Sequence, residues 1–154
     1  MNDRIDRNEP PLSAEALRMA ILEKEMEKMD EAQKAREAEQ KQLAEFAHSF
    51  LHERVSDEEI AMVRRLVTNA VKNGEMEALV YSFPSDLCTD GGRMINNSDP
   101  RWPETLQGKA KEFFDRYQEL AKPKGYRLKA MVITFPGGIP GDIGFFLNWA
   151  PIRV

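Results

Sequence analysis

Between residues 13 and 52 the chain carries neither glycine nor proline. Ala, Glu, Lys, Gln and Met dominate that stretch, and all are strong helix formers. With Ser13 as the N-cap, the sequence therefore predicts one long helix over 13–52. Leu12, Met19, Leu22, Met26 and Met29 keep a seven-residue register. Gln33, Arg36 and Gln40 are polar in the same register, and Leu43, Ala47 and Phe50 then resume the apolar pattern. A helix with so narrow a seam cannot bury itself. Three outcomes fit: a coiled-coil dimer, docking of one or both ends on a globular body, or a solvated helix that is only partly docked. The preceding residues, 1–12, are polar with Pro10-Pro11 and read as a flexible lead-in.

From residue 55 the punctuation changes. Ser56 and Glu59 have the spacing of a capping box, in which the hydroxyl and the carboxylate each satisfy a backbone amide of the first turn. Ile60, Val63, Leu66, Val67, Ala70 and Val71 mark one apolar face, and Asn73-Gly74 ends that helix. A strand follows over 78–83, then a long polar stretch over 84–103 with a helical turn near 93–97. Pro103 opens the next helix, which Pro123 and Gly125 stop at about residue 122. Strands are expected over 126–135 and 143–149, joined by the Gly/Pro cluster 136–141. Direct pairing of the first two strands across the intervening helix would make them parallel. The last two should be antiparallel. The fold class is α+β: a long N-terminal helix followed by a compact α-β-α-β-β domain with a small mixed three-stranded sheet. The domain division is 1–12, 13–54 and 55–154.

Two strands end on the same phrase, Phe83-Pro84 and Phe135-Pro136. The expected topology sets these ends on one edge, where ligands of open α/β sheets tend to bind. Asp86, Cys88, Asp90, Arg93, Asn96, Asn97 and Asp142 gather there as candidate ligand-binding residues. Their types equally suit turns, since Asp and Asn bond their own backbone. Gly91-Gly92-Arg93 and Gly137-Gly138 could hold an anion on exposed amides, although neither matches a phosphate-binding fingerprint. Asp86, Asp90 and Asp142 offer oxygen ligands to a hard cation, without the spacing of a calcium loop. Cys88 would need a cation or base to become a nucleophile. His48 and His52 share a helix face with Glu45, a Glu-x-x-His spacing that makes the two histidines metal candidates. Solvated histidines fit the same pattern.

The net charge of −4 falls on residues 1–55, and the remainder is balanced. Without a basic excess, nucleic-acid binding is not expected. No apolar run is long enough to span a bilayer. The start has no signal-peptide pattern, and a single Cys88 excludes an internal disulfide framework. These features describe a soluble cytoplasmic chain. The stretches from Phe83 to Asn97 and from Phe135 to Gly144 resemble those of a group of small uncharacterised bacterial proteins. That resemblance carries no activity, cofactor or site residue with it. The functional expectation is a non-enzymatic interaction or regulatory protein without a cofactor. It would form a homo-oligomer or take a protein partner through 13–52. The alternative is a small-molecule or anion-binding domain, or an enzyme, using loops 84–103 and 136–142.

Overall fold

The long glycine-free stretch forms α1, Ala14–His52. Ser13 caps it, its Oγ accepting from the Ala16 amide at 3.1 Å. The computed structural model describes residues 7–152, so half of the expected lead-in, residues 1–6, lies outside the described residues. The chain divides into two compact units, residues 1–44 and 45–154. In the first, the described residues are a solvent-exposed stretch of α1 and the turn before it. Leu17, Met19, Leu22, Met26 and Met29 are all exposed, as are the polar residues between them.

The second unit begins inside α1. Phe50, on the same seven-residue register, is 1% exposed. Its ring lies 5.3 Å from that of Phe83. The last turns of the helix thus belong to the body's core.

α2, Asp57–Lys72, has the capping box read from the sequence. The Glu59 amide donates to Ser56 Oγ and the Ser56 amide to Glu59 Oε1, both at 3.1 Å. Its other end closes through Gly74 at φ +74. There Gly74 N–H reaches the Val71 carbonyl and Glu75 N–H the Ala70 carbonyl, the paired bonds of a Schellman ending.

The sheet departs from expectation. β1 (Glu77–Pro84), β2 (Arg127–Val132) and β3 (Asp142–Asn148) stand in the order β1-β3-β2, and both pairings are antiparallel. The sheet is antiparallel throughout rather than mixed, because β3 inserts between the two strands expected to pair. β3 supplies the most buried strand residues, Ile143 and Phe145 at 0% exposure, and burial draws it to the centre. β1 and β2 still run the same way, so both Phe-Pro ends do reach one edge, on either side of Asp142. Pro84 lies on an edge strand, where its missing amide costs no ladder bond.

Strand β1 contains a bulge between Leu79 and Tyr81. Ala78 faces Leu147 and Leu79 faces Phe146, yet Tyr81 faces Phe145. The extra residue is Val80, itself buried. It moves the inward set from even to odd positions, so Tyr81 and Phe83 join the core. The inner face is covered by the end of α1, by α2, by α3 (Arg93–Asn96) and by α4 (Gly108–Arg116). On the opposite face Leu79 and Met131 remain partly exposed, and Lys129 Nζ sits 6.0 Å from the Phe146 ring centre.

The last helical stretch is also broken differently from its sequence pattern. Pro103 sits in a 3-10 turn, Trp102–Thr105, and α4 begins only at Gly108. Beyond α4 the backbone widens into a π-helical turn, Tyr117–Ala121, before Pro123 ends it. Gly108 has φ +55, and a Cβ there would lie 2.1 Å from the Phe50 carbonyl oxygen. Alanine at this position is expected to cost about 1–2 kcal/mol for the left-handed backbone. Crowding against the α1 backbone should add about 1–3 kcal/mol. Gly74, with nothing within 4 Å of its Cβ position, should show only the first cost. Urea unfolding of Gly108→Ala and Gly74→Ala checks the difference.

Candidate functional site

The long stretch after β1 is a tethered loop rather than an open one. The Ser85 amide donates to the Gly141 carbonyl at 2.8 Å and Ser85 Oγ to that of Pro140 at 3.0 Å. Gln107 Nε2 reaches the Leu87 carbonyl at 3.1 Å, and Thr89 N–H reaches that of Thr105 at 2.9 Å. The two loops that follow the Phe-Pro ends are thus bonded directly to each other.

Within this loop the amides of Gly92 and Met94 already have an anion. Asp90 Oδ1 accepts from the Gly92 amide at 2.9 Å and Oδ2 from the Met94 amide at 2.8 Å. A carboxylate at the start of α3 satisfies those donors, so the chain itself supplies what an external anion would bring. Gly92 is buried at φ +84, and a Cβ there would lie 3.1 Å from both Ile143 Cδ1 and Ser85 Cβ. Arg93 and Asn96 on α3, Asn97 just after it, Asp86 in the loop after β1 and Asp142 at the start of β3 are all exposed. Asp99 and Arg101 pair with each other, Nη2 to Oδ2 at 3.2 Å.

Cys88 is 4% exposed. Burial pushes its thiol up to about 11. A hydrogen bond with Thr105 works against that shift, and the Asp90 charge adds to it. The sulfur is therefore protonated at neutral pH, the opposite of an activated nucleophile. His48 and His52 lie on one exposed helix face, their rings tilted at 48° with centres 4.7 Å apart. No group of three His, Cys, Asp or Glu side chains able to hold a metal ion is found among the described residues.

A second constellation was not singled out from the sequence. α2, α4 and the π-helical turn flank a groove of about 230 Å3, floored by Tyr81 and Leu147. Val55, Ile60 and Val63 form one wall, and Phe113, Tyr117 and Leu120 the other. The π-helical turn shifts Tyr117 and Leu120 out of α-helical phase, and such turns often mark functional sites. Tyr117 Oη is tied to the Tyr126 carbonyl at 3.0 Å, which fixes that wall.

At one side of the groove Glu59 is a junction. Lys109 Nζ lies 2.7 Å from its Oε1, and the Ser56 amide bonds the same oxygen. Burial acts to raise the Glu59 carboxyl, but the bonds from Lys109 and Ser56 and the Lys109 charge outweigh it and hold the carboxyl below its usual value. The Tyr81 hydroxyl lies near enough to feel the Glu59 charge. Burial first, then the negative charge of Glu59, keeps the tyrosine protonated well above its ordinary range. Glu112 closes the network from α4, accepting from the Val55 amide and from Arg54 Nε. The capping-box letters at Ser56 and Glu59 were visible in the sequence. The neighbours of Glu59, 50 residues away at Lys109 and on β1 at Tyr81, carried no local signal.

No protein-family model matches the chain, and no curated protein or solved structure matches it either.

Two outcomes are expected from these environments. Alkylation of Cys88 should rise in native protein only as pH approaches about 11, and in denaturant near the ordinary value of 9.0. A pH–rate profile under both conditions measures this. Because the Glu59 carboxyl is lowered by folding, its contribution to stability is present above the ordinary value of 4.5. That contribution is lost as pH falls through the lowered value. Glu59→Gln should therefore narrow the gap in melting temperature between neutral and acidic solution, as read by thermal unfolding.

Proposed function

We propose that this protein is a non-enzymatic interaction module that self-associates or docks a partner through the helical arm of residues 14–44. The observation that supports the reading is the contrast within one helix. Phe50 is 1% exposed in the body, whereas Met19, Leu22, Met26 and Met29, on the same register, are 48–71% exposed. Large apolar side chains repeated at a seven-residue spacing gain most by entering a second helix. The middle of the register, Gln33, Arg36 and Gln40, supplies polar positions of the kind that restrict pairing to one alignment. The body then serves as an anchor: it fixes the helix end and presents its loops. No described helix is long and apolar enough to cross a membrane. A cytoplasmic setting belongs to the same proposal.

Sedimentation equilibrium at micromolar concentration tests the reading. The unaltered chain is expected above monomer mass. A Leu22→Glu/Met26→Glu variant should sediment as a monomer with an unchanged melting temperature of the body. A monomer whose residues 14–44 resist hydrogen exchange as strongly as the sheet would overturn it.

A further inference from the structure

We propose that the groove between α2 and the α4/π-helical wall is a binding site for a small carboxylic acid with an apolar body. The first observation is its shape and lining. About 230 Å3 lies below the ~300–1,000 Å3 of sites for drug-sized ligands, so the occupant is small. Val63, Phe113, Leu120 and Leu147 give it an apolar interior.

The second observation is charge. Five ionisable or polar side chains line the groove: Glu59, Tyr81, Tyr117, Arg64 and Arg116. Glu59 is neutralised by Lys109, the Tyr81 hydroxyl beside it stays protonated, and the Tyr117 hydroxyl is bonded to the Tyr126 carbonyl. The guanidinium groups are not committed. Neither Arg64 nor Arg116 takes part in an ion pair among the described residues. One stands on α2 and the other on α4, on opposite walls. The groove thus combines an apolar interior with unspent positive charge on both walls. Guanidinium groups bind carboxylates by paired, charge-assisted hydrogen bonds. A neutral apolar molecule would use only the interior, and a cation would meet the two arginines. An apolar carboxylate uses both features. This site lies wholly in the body and stands apart from self-association of the arm.

Octanoate serves as the probe, titrated into the full-length protein while methyl and amide resonances are followed by NMR. Saturable shifts are expected at Val63, Leu120 and Leu147. Octan-1-ol, with the same tail and no charge, should bind at least about tenfold more weakly, since a hydrogen bond to a charged group is worth ~1.5–3 kcal/mol. An Arg64→Gln/Arg116→Gln variant should show a loss of similar size. Equal binding of the alcohol, undiminished binding by the variant, shifts confined to other parts of the chain, or no saturation would each overturn the proposal. The alcohol comparison uses the unaltered chain, so it decides the question even where the variant fails to fold.

Discussion

The packing of the Phe145 ring is the contact on which the body depends. It is fully buried on the central strand and lies 5.3 Å from Phe83, 6.3 Å from Tyr81, 5.6 Å from Phe113 and 6.0 Å from Trp102. Those rings come from β1, from α4 and from the loop before it. One side chain therefore joins the sheet to the helical layer and to the tethered loop. Aromatic rings contribute large buried areas and favour tilted or edge-on arrangements, which fix orientation as well as proximity. Phe50 reaches the same cluster through Phe83, so the end of α1 is held by the packing that organises the sheet.

The Val80 bulge makes this cluster possible. Without it, strict alternation from Ala78 would turn Tyr81 and Phe83 to the outer face. The extra residue lets four apolar or aromatic side chains of one short strand, Ala78, Val80, Tyr81 and Phe83, join the core. It also brings the Tyr81 hydroxyl to Glu59, at the side of the groove. A local irregularity in one strand thus links the core to the polar network around the pocket.

The polar loop and the groove illustrate two ways of using charge. In the loop, Asp90 satisfies amides that would otherwise attract an anion, and the result is rigidity. In the groove, Glu59 is paired internally while Arg64 and Arg116 are left to the solvent or to a ligand. Among the loop residues that looked functional by type, Asp90 is committed to the loop's own backbone, whereas Asp86, Arg93, Asn96, Asn97 and Asp142 remain exposed. Arg64 and Arg116 stand on two helices far apart in the chain, and only folding brings them to one groove.

Local chemistry alone determined α1 and α2 with their caps. The capping box at Ser56 and Glu59, the glycine ending at Gly74 and the uninterrupted helical composition of 13–52 act within a few residues, so the letters suffice to read them. The coincidence of the two Phe-Pro ends was also legible, because β1 and β2 run the same way whether or not they touch. Strand order was not. Whether β3 lies at the edge or in the centre depends on which strand can bury most against every helix at once, and Ile143 and Phe145 won that competition. The register shift at Val80, the late start of α4 at Gly108 and the groove itself have the same origin. Each is set by contacts between residues far apart in the chain, whose energies have no trace in local sequence pattern.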